Sequence, residues 1–145
     1  MRAVVVCLTA LALALACHDL PTEPDPIEDV TLKTVGTHFT EGERIPRVLS
    51  NGSSQDYGHP DCCGTIWTIL QRKGDYGWEY FEGSYFGCIA MCDWRALIEA
   101  GTIRHDSISA WYTGTFRFEL GLSYRPDSTA PWQHDTIYSN AFVVE

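Results

Sequence analysis

Along residues 115–125 the chain alternates in polarity with a period of two. Phe116, Phe118, Leu120, Leu122 and Tyr124 fall on one side, and Thr115, Arg117, Glu119, Ser123 and Arg125 on the other. Successive side chains of a strand point to opposite faces, so this run predicts a half-buried strand of an antiparallel sheet. The same texture begins at Val30, where Val30, Leu32 and Thr34 alternate with Thr31, Lys33 and Val35. Residues 45–50 form a second short run, closed by the turn cluster Asn51-Gly52-Ser53-Ser54. Residues 65–72 are rich in β-branched and aromatic side chains. Lys73-Gly74-Asp75-Tyr76-Gly77 breaks them, and residues 78–82 return, which predicts a hairpin. Further strands are expected at 84–90, 103–112 and 138–144, with 103–112 as the partner of 115–125 and 126–132 as a loop. One stretch has a different period. Trp94, Leu97 and Ile98 are spaced i, i+3, i+4, with Asp93 placed to cap and Gly101 to terminate, so one short helix is expected over 93–100.

Many short strands with turns about every 8–12 residues define an all-β class, an antiparallel sandwich. Here a resemblance enters. Thr113-Gly114-Thr115-Phe116-Arg117-Phe118 and Tyr138-Ser139-Asn140-Ala141-Phe142-Val143-Val144 resemble the last two strands of bacterial immunoglobulin-like domains of exported lipoproteins. The early run ending in Asn51-Gly52-Ser53 is similar to the second strand of those domains. The resemblance implies an immunoglobulin-like fold over residues 30–145. Such domains act as spacers, adhesion modules or binding modules, and no functional residue carries over, because residues 83–112 depart from the pattern.

The N-terminus follows other rules. Arg2 precedes an apolar stretch over residues 3–16 that only Thr9 interrupts. That is a basic n-region and a short h-region, as in a secretory signal. It is shorter than the roughly 20 apolar residues a spanning helix needs. Leu13-Ala14-Leu15-Ala16-Cys17 resembles the lipobox of bacterial lipoproteins, with Ala14 where that family more often has leucine. The resemblance implies removal of residues 1–16, acylation of Cys17 and attachment to membrane lipid. The alternative is an ordinary secretory signal that leaves Cys17 as a free thiol. Residues 17–29 are acidic and proline-rich, so they are expected to form a stiff, disordered tether. His18 follows the cysteine in place of the aspartate that commonly retains lipoproteins in the inner membrane, which favours the outer membrane.

Composition sharpens this picture. The whole chain carries a net charge of −9, and without Arg2 nine basic residues face nineteen acidic ones. Such a surface excludes nucleic acid as a natural partner. After Cys7 leaves with the signal and Cys17 takes lipid, Cys62, Cys63, Cys88 and Cys92 remain. An even number in an exported chain predicts disulfides. A vicinal bridge is strained, so the candidate pairings are 62–88 with 63–92, or 62–92 with 63–88. Each closes a loop of about 25–30 residues and contributes about 3–4 kcal/mol by the chain-entropy estimate. The competing reading is a zinc site from His59 with the four cysteines, although the usual paired spacing is absent.

No catalytic residue and no cofactor are expected. The chain lacks the nucleophile elbow, the zinc-protease helix and the phosphate loop. Glu79 with Glu82, and Glu41 with Glu43, read as solvated edge charges rather than a glycosidase pair. His18, His38, His59, His105 and His134 read as surface residues. Tyr57, Tyr76, Trp78, Tyr80, Tyr85 and Phe86 read first as core. If exposed, such rings suit stacking on sugars, with Trp78 and Trp132 as the candidates. The expected function is a non-catalytic, membrane-anchored lipoprotein whose domain serves structure or protein binding, possible partners including another envelope protein. The alternatives are a carbohydrate-binding module, or a proteinase-inhibitor-like domain with a rigid loop near Cys62-Cys63.

Overall fold

In a computed structural model of the protein, the described residues are Ile27, 29–82 and 96–145. They form thirteen short strands: β1 (Val30–Thr34), β2 (His38–Phe39), β3 (Arg44–Asn51), β4 (Tyr57–His59), β5 (Asp61–Cys62), β6 (Thr65–Ile66), β7 (Ile69–Gly74), β8 (Gly77–Tyr80), β9 (Ala96–Ile98), β10 (Ile103–Ser109), β11 (Gly114–Tyr124), β12 (Gln133–Tyr138) and β13 (Phe142–Val144). They make a β-sandwich whose strands pair antiparallel except β2 and β13, which pair in parallel. The smaller sheet has the order β1-β3-β10. The larger is built around β11, flanked on one side by β12 and β13 and on the other by β7 and β4, with β2, β8 and β9 at its margins.

The periodicity of residues 115–125 becomes the centre of the core. Phe116, Phe118, Leu120 and Leu122 are buried, and they meet Leu32, Ile45, Leu49 and Ile108 from the opposite sheet in one cluster. Phe118 stacks on Phe142 with ring centroids 5.0 Å apart, and Phe39 meets Phe142 edge-on at 5.9 Å. Burying this apolar face, at about 25 cal/mol per Å², is the main term holding the two sheets together.

Several expectations are corrected. No described segment is helical. Ala96–Ile98 is strand β9, paired antiparallel with β4, while residues 93–95 lie outside the described residues. Leu97 is 59% exposed and Ile98 is 2% exposed, an alternation that a helix burying both would not give. Residues 103–112 do not partner 115–125. Strand β10 pairs with β3 across seven residue pairs, so the chain crosses between sheets before β11 begins. The closing strand is two strands, β12 and β13. Ser139 and Asn140 part them, because Asn140 turns to β1: Thr34 N donates to its Oδ1 at 2.9 Å and its Nδ2 donates to Thr34 Oγ1 at 2.7 Å. Ile27 packs against the core, and Gly52 N donates to the Asp29 carbonyl at 2.8 Å. The β7–β8 hairpin forms as expected, with Lys73 opposite Trp78 and Gly74 opposite Gly77. The strand expected at 84–90, the signal segment 1–16 and Cys17 lie outside the described residues.

Candidate functional site

Two features of the larger sheet stand out once its side chains are assigned to faces. The first is a groove on the outer face. Strand β4 ends at His59 and β7 enters at Ile69, so β11 has no ladder partner on that side between Ser123, opposite Gly58, and Glu119, opposite Ile69. The intervening residues leave the sheet and fold back as the β5–β6 hairpin. A groove of about 500 Å³ opens at the gap, with Gly58 and Gly121 at its floor and Trp67, Ser123, His134 and Thr136 on its sides. Ser123 pairs with His134 and Gly121 with Thr136 across the β11–β12 ladder, so these four share adjacent rungs.

The second is the clamp on the β5–β6 hairpin. Its two-residue loop, Cys63-Gly64, has φ of 51° and 95°. Positive φ at both loop residues makes a type I′ turn, the form whose twist matches a hairpin. Gly64 N donates to Asp61 Oδ1 at 2.7 Å, which fixes the turn. Two guanidiniums hold the hairpin to the smaller sheet. Arg104 of β10 pairs with Asp61. Arg47 of β3 donates to the Ile66 carbonyl at 2.7 Å and pairs with Asp106, and Asp106 Oδ2 accepts from Ile66 N at 2.8 Å.

His59 belongs to this clamp, so the surface reading fails for it. It is buried at 1% exposure. Nδ1 lies 3.0 Å from the Pro60 carbonyl, and Nε2 lies 3.0 Å from Arg104 Nη1. A guanidinium only donates, so Nε2 accepts and Nδ1 carries the proton. Burial holds the imidazole below its ordinary pKa, and the neighbouring Arg104 adds to the shift against the bonds that raise it. Both ring nitrogens are taken, so His59 is not placed as a zinc ligand. No metal-binding cluster occurs among the described residues.

The cysteines divide. Cys62 ends β5 and Cys63 sits in the turn, and both are disulfide-bonded. Cys88 and Cys92 lie outside the described residues, so the pairing is not defined among the residues in view.

The stacking candidates are both met by cations. Trp78, half-buried on the outer face, lies under Arg117 with Cζ 4.7 Å from the ring, and Lys73 Nζ is 5.3 Å away. Arg117 also covers Tyr138 at 4.0 Å and donates from Nε to Gln71 Oε1 at 2.7 Å. Trp132, 36% exposed, has Arg125 Cζ 4.4 Å from its ring. The expected core placement of the hairpin aromatics is corrected as well. Tyr57 is buried, but Tyr76, in the hairpin turn, is 99% exposed, and Tyr80, on the second strand, is 53% exposed. Tyr85 and Phe86 lie outside the described residues.

Sequence reasoning missed the groove entirely. Its one signal was Gly121, the single outward position without a side chain between Thr115 and Ser123.

No known family profile matches the chain, and no curated protein matches it. Among solved structures it is similar to the ASH/PapD-like domain of human CEP192, PapD-like domain 7. That likeness has 14% identity and a TM-score of 0.43, covering 86% of this chain and 91% of the other.

Proposed function

We propose that the chain is an exported lipoprotein, acylated at Cys17, whose immunoglobulin-like domain is a non-catalytic binding module at the cell envelope, with the outer membrane as the favoured site. The lipobox-like sequence and the acidic tether support the anchor. Binding through the outer face of the larger sheet is supported by one observation above others. Trp78, Arg117 and Tyr138 form a cation–aromatic row on that face, its tyrosine 46% exposed. Stacking leaves the in-plane N–H groups of a guanidinium pointing outward, and although Arg117 Nε is given to Gln71, its terminal nitrogens suit a partner's carboxylate or carbonyl; aromatic and Arg side chains concentrate where proteins meet. The interior offers no comparable chemistry. Among the described residues every buried side-chain nitrogen and oxygen has an internal hydrogen-bond partner. Carbohydrate stacking on Trp78 and Trp132 is the weaker reading, because a guanidinium already lies over each ring. Loop insertion by the Cys62-Cys63 hairpin needs a protruding segment, whereas this hairpin is clamped against β3 and β10.

The test has two arms. Mass spectrometry of membrane-extracted protein is expected to find acylated Cys17 at the N-terminus, and Cys17→Ser is expected to move the protein to the soluble fraction. A soluble product cut elsewhere overturns the anchor. In pull-downs from its own membrane, Arg117→Glu is expected to lose a partner that the unaltered protein retains, and identical catches overturn the role of that face.

A further inference from the structure

Gly121 lies within the longest described strand, and nothing among the described residues explains it. Its φ lies outside the left-handed region, so the backbone does not require glycine. A Cβ built there would meet nothing within 4 Å, so packing does not require it either. Glycine within a strand weakens it and commonly marks a place where a ligand or another backbone comes close. Here the space above Gly121 is the floor of the groove. Gly58, beside it, differs: a Cβ there would lie 2.7 Å from Ser123 Oγ.

We propose that this groove binds one or two residues of a neutral sugar, an inference that rests on the binding-module reading. Trp67 supplies an apolar surface. Ser123 and Thr136 supply hydroxyls, and exposed His134 supplies ring nitrogens that donate or accept. That set matches a pyranose, whose ring has an apolar face and a rim of hydroxyls. The volume of about 500 Å³ lies inside the roughly 300–1,000 Å³ range of small-molecule sites. Charge selects a neutral ligand. Among the described residues the groove is lined by no Lys or Arg, and the carboxylate there is Asp135, whose Oδ1 accepts from Thr136 N at 2.6 Å. An anion there would face that carboxylate in a chain of net charge −9.

The test uses the detergent-solubilised full chain on an array of neutral hexose, pentose and N-acetylhexosamine oligosaccharides, with acidic glycans alongside. Neutral glycans are expected to be retained. Gly121→Val, which fills the groove from its floor where no atom stands in the way, is expected to cut that binding at least tenfold with no fall in Tm. Trp67→Ala is expected to cut it comparably. Retention of no neutral glycan, of acidic glycans only, or equal binding by Gly121→Val overturns the proposal. Acylation of Cys17 and the Arg117-dependent catch are scored separately, so failure here is distinguishable from failure of the broader reading.

Discussion

Arg47 and Asp106 face each other across adjacent strands of the smaller sheet and join through two hydrogen bonds, Nε to Oδ1 at 2.9 Å and Nη2 to Oδ2 at 2.5 Å. The Arg47 side chain is fully buried and that of Asp106 nearly so. Nη1 donates to Thr68 Oγ1 at 2.7 Å, and the guanidinium lies 4.9 Å from the Phe118 ring centroid. Each of its three nitrogens has a hydrogen-bond partner. The pair fixes β3 and β10 to the β5–β6 hairpin, and through it the groove wall.

Breaking one side of this pair leaves a buried charge uncompensated. Asp106→Ala is expected to destabilise the domain by about 3–5 kcal/mol in urea unfolding. The double variant Arg47→Met with Asp106→Leu is expected to recover a large part of that loss, since a buried ion pair gains little over apolar groups of similar volume. A double variant no more stable than Asp106→Ala would show that the pair contributes attraction beyond mutual neutralisation.

Asn51 ends β3 fully buried and holds the turn after it. Its Nδ2 donates to the carbonyls of Gln55 at 2.7 Å and Ile98 at 3.1 Å, and its Oδ1 accepts from Ser53 N at 3.1 Å. Asn51→Ala removes the side-chain donor to the buried Ile98 carbonyl, while the Gln55 carbonyl keeps Ser53 Oγ at 3.1 Å, and the loss of a buried hydrogen bond costs about 1–3 kcal/mol. Its unfolding midpoint is expected to fall accordingly. Asn51→Asp is expected to be no better, because a carboxylate cannot donate to those carbonyls.

His59 makes stability depend on pH. Its pKa is lowered in the folded state, chiefly by burial. The unfolded chain therefore takes up a proton first as pH falls through about 6.5, while the folded chain stays neutral. Stability linked to His59 is fully present above that value and is lost as pH drops from there toward the folded pKa. The stability difference between the protein and His59→Asn, followed by urea unfolding from pH 8 to pH 5, is expected to shrink on the acid side. A difference constant with pH would mean that His59 does not contribute to the slope.

The bonded state of Cys62 and Cys63 is checked by peptide mapping without reduction. Each is expected to be linked to Cys88 or Cys92, and reduction is expected to cost about 3–4 kcal/mol per bridge by the chain-entropy estimate. Free thiols at all four positions, or a stoichiometric bound zinc, would remove the staple.

Much was legible from local pattern. The buried face of residues 115–125, the β7–β8 hairpin and the turn at Asn51-Gly52-Ser53 are local features, because period and turn chemistry act over a few residues. The helix expected at 93–100 gave way at Ala96–Ile98 because the ladder with β4, a long-range pairing, outweighed a local spacing of three apolar residues. His59 looked like a surface residue because its burial and its partner Arg104, 45 positions away, come only with the fold.

The sequence by itself determined which residues face inward along each strong strand, and it specified an acidic, cysteine-bearing chain with a lipobox-like start. Those properties follow from side-chain alternation and from composition, which need no knowledge of what lies opposite. Long-range contacts set the rest: β10 joins β3 and not β11, a buried Arg47–Asp106 pair and a partly exposed Arg104–Asp61 pair hold a hairpin across the sandwich, and Gly121 floors a groove. The physical reason is range. The β3–β10 ladder and the Arg47–Asp106 and Arg104–Asp61 pairs join residues far apart in the chain, Arg47 and Asp106 at a separation of 59 and Arg104 and Asp61 at 43, and a local pattern carries no record of such neighbours.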